Sequence, residues 1–317
     1  MKILYTVCFL CLTGCILTHS QLSLYYALTG LQLWFQKMIP ALLPFMILSG
    51  IMVRMRLTEG FASMLYPVIR PVYHVRKNVC YAMIMGFLCG FPMGARVTAE
   101  LLSEKLITKR EADFLLSFCN NIGPVYFCSF VLPLLHRKFL WPYLFGMYGL
   151  PLLYGMLLRR TRFRDLNEAA ASETALPEKH IKNPAKNPAP LKKETLLEKI
   201  DEAVNSSMQG ILSLGGYMIF FNLLNLPLHI LLGHPPLAAA PLFEITGGLQ
   251  LLSDKLPLYS LLLLPFGGCS CIAQTYSSIR GNGLSITRYT LHKLILTALT
   301  AGYYFLWFLF FRKTFLF

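Results

Sequence analysis

A chain of 317 residues with 55% apolar and only 14% charged residues departs from soluble composition, in which about a quarter are charged. Apolar stretches recur along nearly the whole length, which excludes a soluble catalytic domain and predicts an all-α polytopic integral membrane protein. The net charge of +14 reads as cytoplasmic loops under the positive-inside rule, not as nucleic-acid binding, with part of it free to guide an anionic solute.

Residues 1–21 hold the first span, over 3–18. Its start, MKILYTVCFLCLTGC, also resembles a bacterial lipoprotein cleavage site at Leu12-Thr13-Gly14-Cys15. Lipidation of Cys15 and an uncleaved span are the two readings, and apolar continuation through Cys15-Ile16-Leu17 favours the span. Cys8, Cys11 and Cys15 share a helical face, and Cys269 and Cys271 flank a serine. No histidine stands at ligand spacing from either group, so these are expected to act as small apolar residues, with no metal and no cofactor.

Residues 22–158 form a first repeat with an extra span. Residues 22–37 mix aromatic and polar side chains as an interfacial helix does, and 38–53 make the second span. The loop after it carries Arg54, Arg56, Arg70, Arg76 and Lys77 against Glu59, and reads as cytoplasmic. Residues 79–103 then enter, break at GFPMG (90–94) and continue as ARVTAELLS. Each arm is too short for the hydrocarbon layer, which needs about 20 helical residues. Lys105, Lys109 and Arg110 follow, which predicts a re-entrant hairpin with GFPMG at its tip. A span over 111–133 is interrupted at Asn120-Asn121-Ile122-Gly123-Pro124, and a turn at His136-Arg137-Lys138 leads to a span over 139–158.

Residues 159–200 are basic, proline-containing and poor in large apolar residues, the composition of a flexible cytoplasmic linker. In the second repeat, 201–317, residues 204–226 span outward, because 227–241 contains no lysine or arginine. Residues 256–283 are an apolar arm broken at Pro265-Phe266-Gly267-Gly268, read as a second re-entrant hairpin. The last span, 289–311, ends at Arg312-Lys313. The tally is six spans and two broken hairpins.

Shifting the second break by 178 residues sets Gly90 on Gly268 and Arg96 on Gln274. The first hairpin enters from the cytoplasm and the second from outside, which is the inverted-repeat plan of many secondary transporters. Arg280, Arg288 and Lys293 fit this topology poorly, since it puts some of them outside. Backbone groups freed at such breaks are costly in lipid unless protein, water or a ligand meets them. Two facing breaks therefore enclose a polar cavity, and helix N-termini aimed into it suit a carboxylate or phosphate.

The candidate binding residues follow from that cavity: Gly90, Pro92, Gly94, Gly267 and Gly268 at the breaks, and Arg96, Asn120, Asn121, Ser270 and Gln274 beside them. Arg96 either grips a carboxylate through two parallel hydrogen bonds or pairs with Glu100 one turn later. Asn120 and Asn121 either cap backbone released by Pro124 or offer amides to a solute. Glu244, in PLFEITGGL, is either a proton- or cation-coupling group or a hydrated acid at the outer interface. No catalytic residue is expected, since the chain has no GxxxxGK[ST] loop, no HExxH and no triad.

Two segments, GFLCGFPMGARVTAELLSEKLITKREADFLLSFCNNIGP and PFGGCSCIAQTYSSIRGNGLS, resemble the hallmark segments of the sporulation integral membrane protein YlbJ family. That family stands among proteins with the nucleoside-recognition or Gate domain, and the resemblance extends over about residues 25–317. It implies a spore-forming bacterium, with the protein in the cell membrane or the membrane around the forespore, and the movement of dipicolinate, a small aromatic dianion. Its hairpin glycines carry over to Gly90, Gly94 and Gly268, and its asparagine pair to Asn120 and Asn121. The chain departs at Cys269-Ser270-Cys271-Ile272, where the resemblance implies a more polar stretch containing histidine. The expected function is a transporter or facilitator of a small anionic solute in the lipid bilayer, with homo-oligomerisation open. Two alternatives stand beside it, a sporulation membrane scaffold recruiting partners through its linker and a nucleoside carrier.

Overall fold

The computed structural model describes residues 2–135, 141–166, 195–252 and 255–310. The turn at His136-Arg137-Lys138, linker residues 167–194 and the Arg312-Lys313 end lie outside the described residues. Among those described there is helix and no strand, and three helical stretches are long and apolar enough to cross a membrane: Ser20–Arg54, Leu196–Leu232 and Leu258–Ile279.

Helix α1, Lys2–Thr18, has no buried residue. Helix α2 is Ser20–Arg54, a single 35-residue stretch carried through a wide π-helical turn at Trp34–Met38. The expectation of a separate interfacial helix over 22–37 is therefore corrected, because the chain does not stop there. Along its length α2 packs on the later helix Leu196–Leu223. Gly30 lies against the Met218 and Ile219 backbone, and the Trp34 indole donates to the Ile211 carbonyl at 2.8 Å.

Short helices α3 (Thr58–Ala62) and α4 (Tyr66–Tyr73) lead into the first hairpin. Its arms, α5 (Lys77–Cys89) and α6 (Met93–Ser103), pack on one another about Gly90, as predicted. Gly90 has φ +80° and the Phe91-Pro92 bond is cis. Thr108 and Glu111 form a reciprocal capping box at the start of α7, Lys109–Leu116. The helix then unwinds over 117–123 and resumes as α8, Pro124–Leu134, with proline at the first helical position where its missing N–H costs nothing. Helix α9 covers 141–160. Near its end the buried Arg159 donates to the carbonyls of Tyr73 (2.8 Å), His74 (3.2 Å) and Phe163 (2.7 Å), tying it to α4.

A second capping box, Thr195 with Glu198, opens α10, Leu196–Leu223, so this helix begins inside the stretch read as linker. Helix α11, Asn225–Leu232, follows. Helices α12 (Ala240–Phe243) and α13 (Ile245–Leu252) then fold back on one another about Glu244, so closely that a Cβ on Gly248 would fall 2.2 Å from the Pro241 nitrogen. Helices α14 (Pro257–Leu263) and α15 (Gly268–Ile279) flank the second break, and α16 is Ile286–Phe310.

The reading of 256–283 as a re-entrant hairpin is corrected by what its two ends touch. Beyond α15, Asn282 donates to the Ala99 carbonyl (3.2 Å), Gly283 lies against Lys109, and Arg288 pairs with Asp113 (3.3 Å). At the start of α14, the Tyr259 hydroxyl reaches the Ala238 carbonyl (2.5 Å), and Leu258 and Tyr259 share an apolar cluster with Tyr303 and Trp307, far along α16. The two ends of the segment thus lie at opposite ends of α16, with a break between them. Glycines end a helix without deciding whether the chain reverses, and here the 22 residues of Leu258–Ile279 suffice to span. Arg280 and Arg288 consequently lie at the end that holds Lys105, Lys109 and Arg110, which removes their conflict with the positive-inside rule.

The same end carries the ion pairs Arg54–Glu202, Arg76–Glu111 and Arg110–Asp165. Two hydrogen bonds from Arg110 at 3.1 Å hold the Asp165 carboxyl below its usual range. Single cysteines test the side assignment. Arg280→Cys and Ser103→Cys are expected to react with a membrane-impermeant maleimide from the same face, and His234→Cys from the opposite one. Labelling of Arg280→Cys together with His234→Cys would restore the hairpin.

Candidate functional site

The first hairpin tip and the unwound 117–123 stretch meet through contacts that only glycine permits. A Cβ on Gly90 would fall 2.2 Å from the Gly123 nitrogen, one on Gly123 would fall 2.7 Å from the Cys89 carbonyl oxygen, and one on Gly94 would fall 2.5 Å from that of Cys119. The first hairpin tip is thereby fitted into the unwound 117–123 stretch. From that tip the Phe91 ring reaches the second break, where a Cβ on Gly267 would stand 2.9 Å from it. Gly267 and Gly268 both have positive φ (+77° and +78°), and Gly268 is packed against Pro241 and Ile245 of the Glu244 turn.

Asn120 and Asn121 are buried and bonded within the fold. The Asn120 side-chain oxygen accepts from the Ala95 N–H (3.3 Å), and its amide donates to the hydroxyls of Thr275 and Tyr289, both at 3.0 Å. One side chain thus joins α6, α15 and α16 to the break. Asn121 donates to the Phe118 carbonyl, and its oxygen accepts from the Lys293 ammonium at 3.1 Å.

Two cavities flank this crossing. The larger, about 460 Å³, lies among α6, α10 and α15 and is lined by Pro92, Arg96, Glu100, Ser206, Gln274 and Arg280 among others. Arg96 there makes the internal pair with Glu100 that was one of its two readings. It donates to Glu100 at 3.0 Å and to the Ser206 hydroxyl at 2.9 Å, and it faces the cavity. The smaller cavity, about 100 Å³, is lined by Lys37, Phe91, Tyr126, Glu244, Thr246 and Gln274 among others. Gln274, which donates to Ser270 at 2.8 Å, borders both.

Glu244 is only 2% exposed, so it is not a hydrated acid at the interface. Its carboxylate accepts from the backbone N–H groups of Thr246 (3.1 Å) and Gly247 (2.6 Å) and from the Asn222 amide (3.2 Å). The charge thus caps the first turn of α13, where free N–H groups and the helix dipole favour an anion.

The structure brings Pro92, Arg96 and Gln274 to one cavity and Glu244 and Gln274 to the other. It spends Gly90, Gly94, Asn120, Asn121, Gly267 and Gly268 on holding the breaks together, and Ser270 on a bond to Gln274 within α15. Sequence reasoning missed Lys37, Tyr126, Thr246 and Lys293. Lys293 carried a usable signal, being a lysine within an apolar 25-residue helix.

Described residues without a strand, three helices of span length and buried polar groups at helix breaks define an integral membrane protein. Over 221 residues the chain is 29% identical to sporulation integral membrane protein YlbJ of Bacillus subtilis (strain 168), a match covering 68% of this chain and 54% of that protein. The chain therefore spans about half the length of this curated relative. The likeness supports the YlbJ family and a membrane location in a spore-former, as the two segments implied. No family model matches the chain, and no solved structure does.

Proposed function

We propose that the chain is a secondary transporter or facilitator that moves a small anionic solute across a membrane during spore formation, a dipicolinate-like dianion being the class the resemblance implies. The observation carrying this reading is the pair of cavities on either side of the crossed breaks, with Gln274 common to both. Arg96 is the group that would exchange Glu100 for a solute carboxylate, since a guanidinium holds either through the same planar fork. Glu244, buried beside the smaller cavity, is the coupling group of this scheme.

We infer an inverted repeat whose pairing differs from the 178-residue shift. Hairpin answers to hairpin, 77–103 to 240–252, and broken crossing to broken crossing, 109–134 to 257–279. The long helices 20–54 and 196–232 correspond, as do 141–160 and 286–310. With α1 this makes seven crossings and two hairpins, the repeats expected over 22–158 and 201–317 running 20–160 and 196–310.

Uptake into proteoliposomes tests the function. The protein is expected to accumulate dipicolinate and not uridine, and Arg96→Ala to slow uptake about tenfold or more, the worth of one charge-assisted hydrogen bond. Uridine accumulation in its place would establish a nucleoside carrier. If folded protein accumulates neither above empty vesicles, the transport reading fails.

A further inference from the structure

One buried cation has no part in the transport scheme. Lys293 of α16 is 1% exposed. Among the described residues the ion pairs are Arg54–Glu202, Arg76–Glu111, Arg96–Glu100, Arg110–Asp165 and Arg288–Asp113, and none includes it. A bare ammonium in a membrane interior is expensive, so whatever surrounds it must replace its water. The replacement here is specific. Its nitrogen lies 2.5 Å from the Asn120 carbonyl oxygen and 3.1 Å from the Asn121 side-chain oxygen, and 4.3 Å from the centre of the Phe91 ring.

Those partners belong to two different elements. The oxygens come from the unwound 117–123 stretch, whose carbonyls are released from helical bonding, and the ring comes from the first hairpin tip. Freed carbonyls, an amide oxygen and an aromatic face are the groups that strip water from a monovalent cation. Broken helices in transporters use such carbonyls to hold a dissolved ion. Here α16 delivers the charge covalently, docked one turn earlier by the Tyr289 hydroxyl on Asn120.

We propose that the Lys293 ammonium is a tethered cation filling a monovalent-cation site between the unwound stretch and the Phe91 tip, so that the chain holds this junction together without a dissolved ion. Removing the side chain opens that site to a small free cation. The idea stands apart from the transport reading, since its test needs no solute.

Wild type, Lys293→Met and Lys293→Gln are purified in detergent and melted in equal concentrations of sodium, potassium, methylammonium or N-methylglucamine chloride. The wild type is expected to melt alike in all four. Lys293→Met should melt several degrees lower in N-methylglucamine and regain much of the loss in sodium, potassium or methylammonium. Lys293→Gln, whose amide can still donate to Asn120, should lose less and respond in the same direction. A loss that no small cation restores in either variant, whether seen as a lower midpoint or as failure to obtain folded protein, overturns the proposal. So does a wild type that gains as much from sodium as the variants do, or a Lys293→Met as stable as wild type in N-methylglucamine.

Discussion

Gly90→Ala is expected to cost about 2–6 kcal/mol and to remove much of the folded protein from a detergent extract. Two effects add. At φ +80° and ψ −163°, a region essentially reserved for glycine, an L-residue gives up about 1–3 kcal/mol. That Cβ would also fall 2.2 Å from the Gly123 nitrogen and 2.7 Å from its Cα, backbone atoms that cannot swing aside as a side-chain tip could. Overpacking of this kind costs about 1–3 kcal/mol, a large fraction of a stability of about 5–15 kcal/mol. Gly86→Ala separates the two terms, because Gly86 lies within α5 and its Cβ would meet the Cys119 carbonyl oxygen at 2.2 Å without any backbone strain. Gly60→Ala, with nothing within 4 Å, is the neutral control. Thermal midpoints of the three decide the matter, and a Gly90→Ala midpoint equal to that of Gly60→Ala would mean that the breaks are not in contact.

Glu244→Leu is expected to do comparable damage by a different route. It strips the acceptor from the Thr246 and Gly247 N–H groups and from the Asn222 amide, all buried. Each donor left unmet costs about 1–3 kcal/mol, so the turn between α12 and α13 should lose roughly 3 kcal/mol or more. Glu244→Gln keeps one acceptor oxygen and should lose about half as much by the same reckoning. That milder variant carries the functional measurement. If Glu244 couples uptake to a proton or cation gradient, folded Glu244→Gln equilibrates solute but no longer concentrates it. Retained accumulation by this variant would remove Glu244 from the coupling role and leave it a cap.

The membrane class, the first hairpin and the interrupted third span were legible because each is written locally. A glycine-proline-glycine group or an asparagine pair inside an apolar run can only be a break. The path a chain takes beyond a break is set from afar. At Pro265-Phe266-Gly267-Gly268 the helix stops, yet the direction of the next arm depends on Asn282, Gly283 and Arg288 meeting Ala99, Lys109 and Asp113, long-range partners that no spacing reveals. The hairpin about Glu244 was hidden for another reason. Its first arm has four residues and its second eight, too few for any periodic signal. The continuity of α2 was obscured by its π-helical turn. The buried stripe Ser23, Tyr26, Gly30 and Leu33 resumes as Leu42, Met46, Ser49 and Val53, one residue later than a 3.6-residue repeat projects. The inserted residue rotates both halves onto α10, while in the sequence it reads as the end of one helix.

The backbone-to-backbone fit of Gly90 on Gly123, and of Gly86 and Gly94 on Cys119, bears on how such a molecule could open. Surfaces meshed that tightly have no room to slide, so the hairpin tip cannot flex alone, and the pair must travel as one rigid block. Movement is then confined to looser joints. The joint among α6, α10 and α15 is one, being hollow, bridged by Arg96 to Ser206 and closed at its rim by the Asn282 contacts. Rocking there would pivot a whole wedge of helices, and Phe91, projecting from that wedge, would be carried out of its seat against Gly267.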